Sequence, residues 1–173
     1  RRRNDQMARV YNASTALFPS IYLVQPPKHL TPASNATWRG LQANNVGAIV
    51  NESIRLSRNT AAGNLPVLPY AWDLYHAGTT AVAAEDVWMT MHQVWRPPLS
   101  TGLVMWGEGW RSVEKASMQN TTGPILLEAK KLADGCSAKH CSGHGWCTAI
   151  QEGPSTCVCE AGWSGAGCST AAV

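Results

Sequence analysis

Aromatic rings and carboxyl groups stand at the carboxyl ends of two short apolar stretches of this chain. Tyr70 is followed by Trp72 and Asp73, and Trp106 is followed by Glu108. Aromatic faces stack on pyranose rings, and carboxylates accept hydrogen bonds from sugar hydroxyls. The pattern therefore favours a carbohydrate site, although each ring taken singly fits packing in a core equally well.

Asp73 and Glu108 admit a second interpretation, as the carboxylate pair of a conventional glycosidase contained in this chain. Such carboxyl groups stand about 5 Å apart in retaining enzymes and roughly 6.5 to 9.5 Å apart in inverting ones. Acids of this kind are more often solvated or ion-paired, for instance with Arg111. Unchanged activity in a Glu108→Gln variant would exclude the pair.

Apolar and amphipathic stretches alternate over residues 1–135. The apolar stretches predict strands at 19–24, 65–70 and 101–107, and the amphipathic ones predict helices at 40–58 and 81–95. This alternation is typical of an α/β fold with a parallel sheet, and the nearest common architecture is a TIM-type (β/α) barrel. Three strands cannot close a barrel, so we expect its C-terminal part. In such barrels the chemistry lies at the carboxyl ends of strands, a rule that also selects Tyr22 and Trp110.

All six cysteines lie in the last 38 residues, with the spacing C-x4-C-x5-C-x9-C-x-C-x8-C. This spacing resembles that of an epidermal-growth-factor-like (EGF-like) module. Cysteines in a segment too short to bury a core imply disulfides and an oxidising compartment, so we expect a secreted or lysosomal protein. Six cysteines allow 15 pairings. A zinc site with His140 or His144 is the alternative, which the C-x-C pair fits less well.

Four Asn-x-Ser/Thr triplets, an excess over chance, also indicate a secretory compartment. The acceptor asparagines are Asn12, Asn35, Asn51 and Asn120. We expect glycans there to mark exposed helices and loops.

The charge and the hydropathy pattern restrict the partners. The formal net charge of +3 suits a polyanion, but no nucleic-acid-binding motif is present. Arg1–Arg3 are not followed by the apolar region of a signal peptide, and no apolar run is long enough for a transmembrane helix. We expect the C-terminal part of a longer precursor.

Six segments in order resemble the C-terminal half of hyaluronidases, glycoside hydrolase family 56. They read RNDQ, ALFPSIYL, NLPVLPY, YAWDLYH, TGLVMWG and CSGHGWC. The resemblance implies a distorted (β/α) barrel that hydrolyses β-1,4 linkages to N-acetylhexosamine in hyaluronan and often chondroitin, with retention of configuration. In that mechanism a glutamic acid protonates the glycosidic oxygen while the substrate's acetamido oxygen attacks the anomeric carbon. No metal or organic cofactor is implied.

The resemblance also assigns roles to residues. It implies that Tyr70 contacts the acetamido group and that Trp106 forms the floor of the sugar-binding cleft. We add Asp73 and Glu108 as candidate substrate-binding residues. The family's acid belongs to a D-x-E motif on an earlier strand. This sequence contains no D-x-E, so we expect the acid upstream and no catalytic residue in this chain.

The resemblance further implies a division of the chain and a disulfide pairing. Residues 1–135 form the partial barrel without its N-terminal strands, 136–168 the EGF-like module and 169–173 a tail. The implied disulfides are Cys136–Cys147, Cys141–Cys157 and Cys159–Cys168.

The sequence departs from the family in three places that concern activity. Residues 111–120 contain no cysteine, Ile49 falls where the family has an arginine, and the approach to the last strand is proline-rich. An alternative to the enzyme is therefore a non-catalytic hyaluronidase-like protein that binds glycosaminoglycan outside the cell.

Overall fold

The computed structural model describes residues 2–61, 63–76, 78–95, 102–107, 112–148 and 156–172. The helices are α1 (Arg2–Gln6), α2 (Ala8–Asn12), α3 (Pro32–Arg58), α4 (Ala84–Val94), α5 (Ser112–Ser117) and α6 (Gly123–His140), with a π-helical turn at Met118–Thr122. The strands are β1 (Tyr70–Trp72), β2 (Val104–Trp106), β3 (Gly145–Cys147), β4 (Cys157–Cys159), β5 (Trp163–Ser164) and β6 (Thr170–Ala171).

Three chain segments run parallel and side by side, with 65–76 in the middle. Strand β1 pairs with β2 in parallel, so that Tyr70 lies opposite Val104. On the other side, isolated parallel bridges join residues 17–24 to residues 67–76. The predicted parallel arrangement of the three apolar stretches is therefore confirmed.

The regular strands are shorter than predicted and begin later. The predicted strand at 65–70 is replaced by β1 at 70–72, and the stretch 19–24 makes single bridges only. Pro19, Pro66 and Pro69 have no N–H and therefore interrupt the ladder. Their carbonyl groups still accept ladder hydrogen bonds of 2.8 to 2.9 Å, the one on Pro66 from Leu17 N and the one on Pro69 from Val104 N.

Helix α3 begins eight residues before its predicted start at residue 40 and ends at Arg58, as predicted. Thr31 caps it, because its side-chain oxygen accepts a hydrogen bond of 3.2 Å from the backbone N–H of Ser34. Pro32 occupies the first helical position, where a missing N–H is harmless. Helix α4 lies within the predicted range 81–95.

Helices α5 and α6 and the π-helical turn between them have no counterpart in the predicted elements. The buried residues of α6 are the widely spaced Ile125, Ala129 and Ala133, a weak signal because two of the three are small. The backbone is tightly packed at Gly123, where a Cβ atom would come within 2.2 Å of the Met118 carbonyl oxygen, so this position requires glycine. The chain therefore passes from α5 to α6 without a loop.

Helices α3, α4 and α6 cover one face of the parallel segments and form the main core. Strand residues Ile21, Leu23 and Ala71 point into it. The helices contribute Val46, Val50, Val87, Met91, Val94, Ala129 and Ala133. Among the described residues, no helix is long and apolar enough to cross a membrane.

A buried carboxylate, Asp86, links α3, α4 and the segment after β1. Arg39 Nε donates to Asp86 Oδ1 at 2.6 Å, and the Tyr75 hydroxyl donates to Asp86 Oδ2 at 2.5 Å. The Tyr75 oxygen in turn accepts from the backbone N–H of Ala83 at 3.2 Å. Burial, and then the bond to Asp86, raise the pKa of Tyr75 to about 12.

Three disulfides hold the cysteine-rich segment, and they are the pairs that the resemblance implies: Cys136–Cys147, Cys141–Cys157 and Cys159–Cys168. Because every cysteine is bonded to another, no thiol is left for the alternative zinc site. The segment contains two antiparallel strand pairs, β3 with β4 and β5 with β6. The expected division between residues 135 and 136 lies inside α6, which continues to His140.

Asp86→Ala is expected to lower the free energy of unfolding by about 3 kcal/mol, because it leaves Arg39 and Tyr75 without their acceptor. Its neighbour provides the control: the side chain of Glu85 is 69% exposed, and Glu85→Ala should change stability by less than about 0.5 kcal/mol. Urea denaturation of both variants measures the difference. Equal losses would contradict the role given to Asp86.

Alkaline titration gives a second check on the same network. Because the pKa of Tyr75 is raised from 10.0 to about 12, the folded state holds this proton where the unfolded state has lost it. The contribution of Tyr75 is complete below pH 10 and is lost as the pH rises towards 12. As the pH rises from 10 to 12, the urea midpoint of the unchanged chain should therefore fall more steeply than that of Tyr75→Phe. The same dependence of the urea midpoint on pH in both proteins would refute this.

Candidate functional site

The sheet face opposite the helices carries aromatic side chains. Successive side chains of a strand point to opposite faces, and the residues that alternate with the core positions are largely aromatic. We call this surface the aromatic face, and its members are Phe18, Tyr22, Tyr70, Trp72, His76 and Trp106.

Tyr70 and Trp106 pack edge to face at the centre of this surface. Their ring centroids are 6.5 Å apart and the ring planes meet at 70°. Phe18 lies on the other side of Tyr70, with the centroids 5.7 Å apart. Trp106 is 52% exposed and Phe18 is 50% exposed, so two large ring surfaces are open to a ligand.

Tyr22 joins the rest of the aromatic face. Its ring stacks on His76 at 5.8 Å with an interplanar angle of 21°, and it contacts Trp72 at 6.0 Å. Trp72 is half-buried, and its Nε1 donates a hydrogen bond of 3.3 Å to Glu114 Oε1. Trp72 therefore connects the aromatic face to α5.

Asp73 and Glu114 are two buried acids near the carboxyl ends of β1 and β2. Their side chains are almost fully buried. A Cβ atom at Gly107 would lie 3.5 Å from Asp73 Oδ1 and 3.7 Å from Glu114 Oε1. Both carboxyl oxygens therefore approach the same point in front of Gly107.

The carboxyl group of Asp73 is incompletely satisfied. Among the described residues, none makes a hydrogen bond to its buried Oδ1. Burial, and secondly the charge of Glu114, raise the pKa of Asp73. Asp73 thus contrasts with Asp86, both of whose oxygens accept hydrogen bonds.

An open cavity of about 340 Å³ adjoins these acids. Its lining combines polar and flexible apolar side chains: Asp73, Met105, Gly107, Glu114, Lys115, Met118 and Gln119. Among the described residues, no group of three or more His, Cys, Asp or Glu side chains is arranged to hold a metal ion.

Comparison with known proteins decides the family. The profile of glycoside hydrolase family 56, described as hyaluronidase, matches residues 1–169. The chain belongs to the hyaluronidase family. It is 30% identical to rat (Rattus norvegicus) Hyaluronidase-3 over 96% of this chain and 44% of that protein. It is 32% identical to pig (Sus scrofa) Hyaluronidase-1 over 83% of this chain and 32% of that protein. The chain spans less than half the length of these relatives.

Solved structures agree with this assignment. Bee venom hyaluronidase superposes with a TM-score of 0.58 at 26% identity, over 72% of this chain and 39% of the bee protein. The bee enzyme in complex with a hyaluronic acid tetramer gives the same score and identity. The fold of this hyaluronidase-family chain therefore corresponds to part of the bee venom enzyme.

The structure brings together only some of the predicted site residues of this hyaluronidase-family chain. Tyr70 and Trp106 are in contact. Asp73 lines the open cavity, and the acid beside it is Glu114. Glu108 lies outside the described residues, as do Trp110 and Arg111, so the distance from Asp73 to Glu108 stays a prediction. Ile49, which falls where the family has an arginine, packs half-buried against the core.

Glu114 is the residue that sequence reasoning missed. It stands in the polar stretch that follows β2, where a lone glutamate usually marks a solvated surface. Its burial depends on the tight approach of α5 to Gly107 and on the bond from Trp72. No periodicity in the sequence of this stretch signals either contact.

Three of the four glycan acceptors lie on the surface, as predicted. Asn12, Asn51 and Asn120 are exposed, whereas Asn35 is half-buried. Asn12 is also engaged, because its Oδ1 accepts a hydrogen bond of 3.0 Å from the backbone N–H of Ala61. Glycosylation itself stays a prediction at all four positions.

Asp73→Asn is expected to raise the urea midpoint at pH 7. Because the folded-state pKa of Asp73 lies above its ordinary value of 3.8, the acid contributes fully to stability below that pH. This contribution is lost as the pH rises through the folded-state pKa. The variant's advantage should therefore shrink as the pH falls from 7 towards 3. A variant less stable than the unchanged chain at pH 7 would contradict this.

Proposed function

We propose that the aromatic face binds hyaluronan or a chondroitin-type glycosaminoglycan in a hyaluronidase-type glycosidase. The observation that supports this most directly is the contact between Tyr70 and the half-exposed Trp106 on one sheet face of a hyaluronidase-family chain. The related bee venom enzyme was solved with a hyaluronic acid tetramer.

The chemistry of the aromatic face suits a pyranose ring. The exposed ring of Trp106 offers a flat apolar surface for the C–H face of a sugar, and Tyr70 beneath it restricts the ring's rotation. In our proposal the Tyr70 hydroxyl contacts the acetamido group of the N-acetylhexosamine. The net charge of +3 favours the approach of a polyanion.

Hydrolysis in this proposal is substrate-assisted and retains the anomeric configuration. The acetamido oxygen attacks the anomeric carbon, so the protein supplies binding and a proton rather than a nucleophile. Tyr70 and Trp106 position the N-acetylhexosamine for this attack. The proton donor is the glutamic acid of a D-x-E motif, which we place N-terminal to Arg1 because the 173 residues contain no such motif.

A second candidate is binding without hydrolysis, which the departures from the family pattern at Ile49 and in residues 111–120 favour. A hyaluronidase-like protein without the acid would keep the aromatic face and the disulfide-bonded segment as binding surfaces. Both candidates are secreted or lysosomal in our proposal, which the three disulfides support. In both candidates, residues 136–168 act as an EGF-like module that continues directly from α6.

Trp106→Ala is expected to weaken the binding of a hyaluronan hexasaccharide to the full chain by about tenfold, because it removes one of the two half-exposed rings of the aromatic face. Leu127→Ala is the control, since Leu127 is a 70% exposed apolar residue of α6 away from the aromatic face. An NMR titration of both variants measures the dissociation constants. Equal affinity in the two variants would refute the proposed binding surface.

A second measurement separates the two candidate functions. The coding sequence upstream of Arg1 is read for a D-x-E behind an apolar strand, and the extended protein is assayed for new reducing ends on hyaluronan. Cleavage that is lost on substitution of the glutamate supports the enzyme. Binding without cleavage supports the non-catalytic relative.

A further inference from the structure

The cavity in front of Gly107 is separate from the exposed rings of the aromatic face. It lies between the ends of β1 and β2 and the helical residues 114–119. The two surfaces meet only through Trp72, whose ring contacts Tyr22 and whose Nε1 binds Glu114. A ligand in the cavity would therefore contact different protein atoms from those contacted by a glycosaminoglycan that lies across Trp106.

We propose that this cavity is a second sugar site, which takes one neutral, hydroxyl-bearing pyranose ring and excludes a uronic acid. The buried Oδ1 of Asp73 faces the point in front of Gly107 and has no hydrogen-bond partner among the described residues. Buried polar atoms are normally hydrogen-bonded, and an exception indicates a missing partner. A ligand hydroxyl supplies the donor that Asp73 lacks.

The charges of the lining residues decide against an ionic ligand. Two buried acids, Asp73 and Glu114, repel a carboxylate or a sulfate. A cation is opposed by Lys115 in the same lining and by the lack of a third acidic, histidine or cysteine ligand among the described residues. A neutral ligand is repelled neither by the two acids nor by Lys115.

The volume and the apolar part of the lining suit a sugar ring. The volume of about 340 Å³ lies within the range of roughly 300 to 1,000 Å³ for small-molecule sites. Met105 and Met118 offer adaptable apolar contacts for the C–H groups of the ring.

Two matched sugars test the proposal on the full chain. Methyl β-glucoside and methyl β-glucuronide differ only at C6, where the second carries a carboxylate. We expect the glucoside to bind with a shift of the Trp72 indole N–H signal in NMR spectra, and the glucuronide to bind at least about tenfold more weakly. Equal affinity for the two sugars, or no binding of the glucoside, would overturn the proposal.

Variants of the lining locate the bound sugar. Gly107→Ala places a methyl group at ordinary contact distance from Asp73 and Glu114, where the ligand hydroxyl would lie, without removing a charge. Asp73→Asn removes the charge while keeping the shape. We expect each to weaken glucoside binding by about tenfold, and the exposed-acid control Glu85→Gln to leave it unchanged.

Trp106→Ala distinguishes this proposal from the proposed function. Loss of glucoside binding in Trp106→Ala with retention in Gly107→Ala would place the sugar on the aromatic face and overturn the cavity site. Glucoside binding that depends on Gly107 and Asp73 supports the cavity site even if the hyaluronan hexasaccharide fails to bind. In that case only the hyaluronan assignment fails.

Discussion

The alternation of side chains along three parallel segments determines the organisation of this molecule. Ile21, Leu23 and Ala71 point to the helices and form the core, while the residues between them point to the opposite face. A shift of one residue in the pairing of β1 with β2 would exchange these faces and bury the exposed ring of Trp106 against the helices. The core and the aromatic face are therefore fixed by the same register.

Two buried aspartates show how differently the fold treats the same chemical group. Asp86 has a guanidinium and a phenol as donors and links three elements of the structure. Asp73 is buried next to another acid, and its Oδ1 has no donor among the described residues. A stabilising role explains the first arrangement, but burying Asp73 beside a like charge, with Oδ1 lacking a donor among the described residues, lowers stability. Such an arrangement is typical of a site that serves a ligand.

Local sequence signals were sufficient for the parallel segments and for placing Tyr70 and Trp106 at the same edge of the sheet, whereas the disulfide pairs were predicted only from the family resemblance. They failed where a tertiary contact decides the outcome. The apolar periodicity places the start of α3 at residue 40 and misses its first turns, which the cap from Thr31 makes possible. Glu114 reads as a surface residue until Trp72 and Gly107 enclose it. The small buried residues of α6 give little periodicity, although they pack in the core.

Helix α6 joins the core to the disulfide-bonded segment without a break. Its 18 residues span about 27 Å at ~1.5 Å per residue. Ala129 and Ala133 lie in the core, whereas Cys136 is bonded to Cys147 and the Ser137 hydroxyl donates to the Gly145 carbonyl at 2.6 Å. The connection is therefore a continuous helix and not a loop. A displacement of the cysteine-rich segment would therefore be transmitted through α6 to the layer of helices behind the aromatic face.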